Sequence, residues 1–171
     1  MNRANWLANQ IRSNNYKIGV ELGVLRGPTF KFIVENCRNT NHIGVDVFLN
    51  DKIWKAKDIS TTEELCEQPP VEWYGELIKF CEGFDGRAKL IRDFTHLAHN
   101  QFEDGSLDYV FVDASHDGDS VKRDIELWTP KIRKGGLVSG HDINLIQVAM
   151  AVVQSTPKHE VGPDNVWWYV K

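Results

Sequence analysis

Residues 18–29 read IGVELGVLRGPT: a short apolar run, a turn that begins and ends with glycine, and then a proline. The run has the length and the apolar character of a buried strand. Pro28 suits the first position of a helix, because the N–H group that proline lacks would have no partner there. The stretch therefore predicts a strand that leads through a glycine-rich turn, 23–27, into a helix.

The same alternation of short apolar and longer helical segments extends along the chain in both directions. Further strands are predicted at 42–47, 89–92, 107–113, 137–140 and 166–170, the last pairing with 159–162. Helices are predicted at 3–13, 28–36, 72–81, 95–100, 119–128 and 145–154. Such alternation is typical of parallel βαβ units. We therefore predict a single α/β domain, 1–171, with a mostly parallel sheet flanked by helices.

Composition narrows the class of protein. A chain of 171 residues has the size of one compact domain, and its 20 basic and 24 acidic residues give a net charge of -4. This charge provides no strong positive field for phosphates, so nucleic acid is not an expected partner. No apolar run approaches the roughly 20 residues that cross a bilayer, and no signal peptide is recognised, so no membrane partner is expected.

The cysteines indicate a reducing compartment. Cys37, Cys66 and Cys81 are odd in number and lack the CxxC spacing. They are therefore interpreted as reduced thiols rather than as a disulfide framework. We expect a cytoplasmic protein.

The longest irregular connection is 48–86, which contains a proline pair and one predicted helix. Long connections in compact domains commonly carry function. The segment is predicted to be a lid or an acceptor-binding insertion. The alternative is a surface excursion supported by a single helix.

Acidic residues close most of the predicted strands. In parallel open sheets, ligands bind beyond the carboxyl ends of the strands. A row of acids there is costly unless a ligand or a metal engages it. The residues are Glu21, Asp46, Asp93, Asp113 and Asp142, the last preceded by His141.

The turn itself limits the type of ligand. It lacks the full GxGxxG pattern of dinucleotide folds, and no Lys-Ser or Lys-Thr pair follows Gly27. Asp46, 25 positions after Glu21, suits the hydroxyls of a ribose. These features favour a nucleoside without a phosphate group, and a purely structural turn is the alternative.

These residues resemble the class I S-adenosylmethionine-dependent methyltransferases over nearly the whole chain. Glu21-x-Gly23-x-x-x-Gly27 is similar to their first motif, around the methionine part of the cofactor. The stretches 107–116, LDYVFVDASH, and 135–142, GGLVSGHD, are the most specific match. They resemble a small subgroup that includes catechol-type and antibiotic-sugar O-methyltransferases. The resemblance implies a Rossmann-like fold with an antiparallel C-terminal strand, S-adenosylmethionine as cofactor, and a small-molecule acceptor, with a hydroxyl as the methylated group.

The resemblance also implies a set of cofactor contacts. Asp46 matches the acid that holds the ribose, and Asp93-Phe94 is similar to the position beside the adenine. The implied cofactor-binding residues are Glu21, Gly23, Val24, Gly27, Asp46, Val47, Asp93, Phe94 and Asp113.

A hydroxyl acceptor must lose its proton, and two devices could promote this. A general base is one; the predicted catalytic residues are Asp113, His116 and His141. A histidine at 116 that merely caps the next helix is the alternative interpretation.

A divalent cation is the other device that could promote loss of the proton, and the resemblance implies Asp113, His141 and Asp142 as its ligands. Imidazole in place of the family's usual acid is a softer ligand than Mg²⁺ prefers, and it would favour Mn²⁺.

Other functions are kept as alternatives. Methylation of nitrogen is one, although the signature of amino-group methyltransferases is absent after Asp113. A non-catalytic cofactor-binding module that acts in a complex is another. A second subunit could complete the acceptor site, so a homo-oligomer is also considered.

Overall fold

The computed structural model describes residues 1–48, 70–156 and 158–171. The strands are β1 (Ile18–Leu22), β2 (Asn41–Asp46), β3 (Ala88–Arg92), β4 (Leu107–Val112), β5 (Ile132–Gly140), β6 (Glu160–Val161) and β7 (Trp167–Val170). The α-helices are α1 (Arg3–Ser13), α2 (Pro28–Asn36), α3 (Pro70–Glu82), α4 (Thr95–Ala98), α5 (Gly118–Trp128) and α6 (Ile146–Ser155).

The strands of the described residues form one sheet in the order β3-β2-β1-β4-β5-β7-β6. β1 to β5 run parallel, whereas β7 is antiparallel to both β5 and β6. The predicted α/β class, with a mostly parallel sheet and an antiparallel C-terminal strand, is confirmed. The strand order reverses beside β1, so the carboxyl ends of β1 and β4 border the crevice in which such sheets bind ligands.

The helices cover both faces of the sheet. Every residue of β4 is buried, as expected for a central parallel strand. Its side chains alternate between the faces: Tyr109 and Phe111 pack with α1 and α2, and Val110 and Val112 pack with α5 and α6. Helices therefore bury the sheet on both faces.

β5 is longer than predicted. It begins at Ile132, whereas the sequence predicted a start at 137, because Gly135 and Gly136 were interpreted as the end of the preceding unit. The register shifts between the Leu107–Ile132 and Tyr109–Leu137 pairs, so the glycines form a bulge within the strand. Gly135 has φ +77°, a conformation that other residues rarely adopt.

Two other strands end one residue earlier than predicted. β2 stops at Asp46 and β4 at Val112, so Val47 and Asp113 lie just beyond their strands. The helix predicted at 72–81 is α3, which buries Trp73 and Leu77. The rest of the predicted lid, 49–69, lies outside the described residues.

Cys37 and Cys81 are free thiols, and Cys66 lies outside the described residues. Within the described ranges, no helix combines the length and the apolar character needed to span a membrane.

Candidate active site

The glycine-rich turn lies against the end of β4. Gly23 has φ +85°, and an added Cβ would overlap the carbonyl oxygen of Asp113. Glycine is therefore required here for both its conformation and its lack of a side chain. At the other end of the turn, Gly27 has φ +76° and forms the N-cap of α2.

Asp46 braces this turn. Its Oδ2 accepts the backbone N–H groups of Val24 and Leu25, both at 2.9 Å, and its Oδ1 accepts that of Phe48 at 2.9 Å. Carboxylate oxygens have further lone pairs, so these bonds leave acceptor sites for a ligand. The sequence predicted Asp46 as a ribose-binding acid but did not reveal this bracing role.

Glu21 is buried beneath the turn rather than open at its edge. The residue is 1% exposed, and its Oε2 lies 3.0 Å from Nε2 of His42. The other ring nitrogen of His42 is 2.7 Å from the hydroxyl of Tyr109. Burial raises the pKa of Glu21 well above its usual value and lowers the pKa of His42 to about 3. His42 is therefore a neutral imidazole that links β1 to β4.

This buried chain was not predicted. Polar side chains in buried strands need hydrogen-bond partners. The presence of His42 and Tyr109 in predicted strands could therefore have indicated a buried hydrogen-bonded chain. Which residues would meet could not be deduced without the order of the strands.

Two histidines and two aspartates meet beyond the ends of β4 and β5. Nε2 of His116 is 2.8 Å from Oδ2 of Asp142, and Nδ1 of His141 is 3.0 Å from Oδ1 of Asp142. Nδ1 of His141 is also 3.6 Å from Oδ1 of Asp113. The side chain of His116 is 38% exposed, and that of His141 only 9%. The structure thus places the three predicted catalytic residues together, with His116 as the most accessible.

The charges in this cluster depend on one another. The hydrogen bond from His116, followed by that from His141, holds the pKa of Asp142 well below its usual value. The same hydrogen bond to Asp142 raises the pKa of His116. Burial, only partly offset by Arg3, raises the pKa of Asp113 to about 7. Asp142 is therefore an ionised acceptor that holds the imidazole of His116 in a fixed orientation.

The predicted metal ligands are also close together. Asp113, His141 and Asp142 each offer one ligand atom, and these atoms lie within 4.8 Å of one another. Two carboxylates and an imidazole suit a transition ion such as Mn²⁺ better than Mg²⁺. Asp142 has φ +59°, an uncommon backbone conformation of the kind that concentrates at functional sites.

Two further residues, Arg3 and Asp164, reach the cluster from distant parts of the chain. Nε of Arg3 lies 3.3 Å from Oδ2 of Asp113, and the Arg3 backbone N–H donates to Oδ2 of Asp164 at 2.8 Å. The same oxygen of Asp164 is 4.0 Å from Nε2 of His141. These residues were missed because no short-range pattern connects positions 161 apart.

Asp93 and Phe94, which were predicted to contact an adenine, lie just beyond the end of β3. Asp93 is half-buried, and its Oδ1 accepts the Phe94 N–H at 2.8 Å. The Phe94 side chain is exposed, and Val47 is half-buried. Val24, in contrast, is buried in the core, so only its backbone lies along the turn.

A sequence model of the family described as "Methyltransferase domain" matches residues 20–143. None of the curated proteins matches the sequence.

Solved structures share the fold at low sequence identity. A Staphylococcus aureus protein, provisionally described as a caffeoyl-CoA O-methyltransferase, is 15% identical, with a TM-score of 0.67 over 96% of this chain and 80% of its own. CalS11, a TDP-rhamnose 3'-O-methyltransferase of calicheamicin biosynthesis, is 14% identical, with a TM-score of 0.65 over 98% of this chain and 77% of its own. A methyltransferase from Geobacter sulfurreducens is 10% identical, with a TM-score of 0.64 over 100% of this chain and 79% of its own.

Proposed function

The chain belongs to the methyltransferase-domain family that its residues 20–143 match, and we propose that it transfers a methyl group from S-adenosylmethionine to a hydroxyl of a small or carbohydrate-like acceptor. The observation that carries this proposal is the His116–Asp142 pair, which lies beside Asp113 at the ligand-binding edge of the sheet. Structural neighbours described as O-methyltransferases support oxygen as the methylated atom.

The turn 23–27 and Asp46 fit the cofactor. Gly23 lets the turn lie directly against the end of β4, where a Cβ would overlap the carbonyl oxygen of Asp113, and Asp46 offers carboxylate oxygens at the end of β2. The ribose hydroxyls would donate to Asp46, and Asp93 and Phe94 would contact the adenine. When bound, S-adenosylmethionine supplies an electrophilic methyl group on a sulfonium sulfur.

His116 is the proposed general base. Its Nε2 donates to Asp142, and its Nδ1 has no hydrogen-bond partner among the residues that the structure describes. Nδ1 of the neutral imidazole can therefore accept the proton of the acceptor hydroxyl. The Asp142 carboxylate stabilises the imidazolium that forms and keeps the ring oriented. The proton then leaves to water from the exposed side of His116.

A divalent cation is the second proposed contributor. Asp113, His141 and Asp142 would hold it, and it would increase the acidity of a hydroxyl bound to it. Arg3 already faces Asp113, and His116 already pairs with Asp142. A cation would share these carboxylates with existing partners, and we therefore assign the main role in deprotonation to His116.

Calorimetry of S-adenosylhomocysteine binding and a methyl-transfer assay together test the proposal. The wild-type protein should bind S-adenosylhomocysteine and methylate members of a panel of catechols and nucleotide sugars. His116→Gln should retain binding but lose about 10²- to 10⁴-fold in rate. His159→Gln, which removes an imidazole that contacts Thr156 instead, is the matched control.

Three results would contradict parts of this proposal. Absence of S-adenosylhomocysteine binding would refute the cofactor. Full activity of His116→Gln would refute the base. Loss of activity with a chelator, restored by Mn²⁺, would transfer the main role to the cation.

A further inference from the structure

Arg3 extends from the first turn of α1 into the corner between β4 and α2. Its Nε is 3.3 Å from Oδ2 of Asp113 and 3.4 Å from the hydroxyl oxygen of Thr29, to which it donates. Within the described ranges, the terminal nitrogens Nη1 and Nη2 have no hydrogen-bond or ion-pair partner. The side chain is 35% exposed. Two donor groups of the guanidinium are therefore available to a ligand.

α2 begins in the same corner. Gly27 is its N-cap and makes no side-chain capping bond, and Pro28 follows it. The first backbone N–H groups of a helix lack intrahelical partners and favour negative charge. Arg3 and the start of α2 therefore attract an anion from two sides. The planar fork of a guanidinium fits a carboxylate with two parallel hydrogen bonds.

The proposed function supplies a carboxylate at this place. The turn 23–27 resembles the motif that surrounds the methionine part of the cofactor, and it ends at Gly27, immediately before the first residue of α2. We propose that Arg3 is the counter-ion of the methionine carboxylate of S-adenosylmethionine, so that α1 completes the cofactor site. This inference rests on the proposed function.

The position of Arg3 is well fixed by its surroundings. Its backbone N–H donates to Asp164 at 2.8 Å, and α1 is anchored by Leu7 and Ile11, which are 0% and 2% exposed. A group presented by a rigid helix loses less conformational freedom on binding than one on a loop. Asp113 contacts Arg3 at Nε alone, which leaves the terminal nitrogens to the cofactor.

Calorimetry with two ligands tests this role. One is S-adenosylhomocysteine; the other is its decarboxylated analogue, which keeps the adenosine, the sulfur and the amino group. Arg3→Gln should weaken S-adenosylhomocysteine binding by about 10- to 100-fold, the range expected for a charged hydrogen bond. Binding of the analogue should change by less than about twofold. Arg3→Lys should retain part of the affinity.

Arg12→Gln is the matched control, because it removes a guanidinium from the last turn of the same helix, where Arg12 contacts Asn9. It should leave the affinity for both ligands unchanged. Equal weakening of both ligands by Arg3→Gln would overturn the inference, since Arg3 would then act through the fold. If the wild-type protein binds neither ligand, the proposed function fails and the inference falls with it. If the wild-type protein binds both ligands and Arg3→Gln weakens neither of them, only the inference is overturned.

Discussion

Asp124 lies on α5 behind the site, and we predict that it makes stability depend on pH. The residue is 2% exposed, and its Oδ1 accepts the hydroxyl hydrogen of Thr95 at 2.7 Å. Burial raises its pKa from the ordinary 3.8 to about 6. Because ionised Asp124 is disfavoured in the folded state, the carboxyl contributes stability below about pH 4, and this contribution is lost as the pH rises through about 6.

The size of the effect follows from the shift. The pKa of Asp124 lies about two units higher in the folded state than in the unfolded state, which corresponds to about 3 kcal/mol of folding free energy. About 2 kcal/mol of this stability should be lost between pH 4.5 and 8. Asp124→Asn can still accept the hydroxyl hydrogen of Thr95 but cannot ionise. The variant should therefore gain about 2 kcal/mol relative to the wild type between these pH values. Any unsatisfied hydrogen bond of the new amide is independent of pH and cancels in the comparison.

Urea unfolding at pH 4.5, 6 and 8 measures this difference. Asp119→Asn, which removes an exposed charge from the first turn of the same helix, controls for net charge. A difference between wild type and Asp124→Asn that stays constant with pH would refute the assignment of the shift to this carboxyl.

Three further substitutions test the base, the turn and the buried imidazole. The methyl-transfer rate should rise with pH through a midpoint above 6.5, because the bond to Asp142 raises the pKa of His116; Asp142→Asn should lower that midpoint, and an unmoved midpoint would argue against the pair. Gly23→Ala should destabilise the protein by more than about 2 kcal/mol in thermal unfolding, whereas Gly75→Ala, which meets nothing within 4 Å, should not; equal effects would contradict the close approach. Tyr109→Phe removes a partner of the buried imidazole of β2 and should cost about 1–3 kcal/mol in urea unfolding, and a loss below about 0.5 kcal/mol would count against that bond.

Local patterns predicted most of the fold. The helical spacing of apolar residues located α1 at 3–13, and the apolar run before the glycine turn located β1 at 18–22, both with the observed bounds. β5 was predicted too short because a glycine pair in the sequence is compatible with both a turn and a bulge. Only pairing with β4 distinguishes the two cases.

The sequence anticipated part of the candidate site. Acids at strand ends, together with the resemblance, identified Asp113 and Asp142, and the parallel pairing of β4 with β5 brings them together. Arg3 and Asp164 were missed because their contacts join the first helix to the final turn. Such contacts depend on tertiary packing, for which a single sequence carries no local signal.

The buried chain of Glu21, His42 and Tyr109 gives the molecule an internal spectroscopic reporter. His42 is 0% exposed and both of its ring nitrogens are hydrogen-bonded, so its N–H proton exchanges with solvent only when the sheet opens. Glu21 lies two residues before Gly23, at the start of the turn. Magnetic resonance of this one imidazole can therefore follow the opening of the core directly beside the turn.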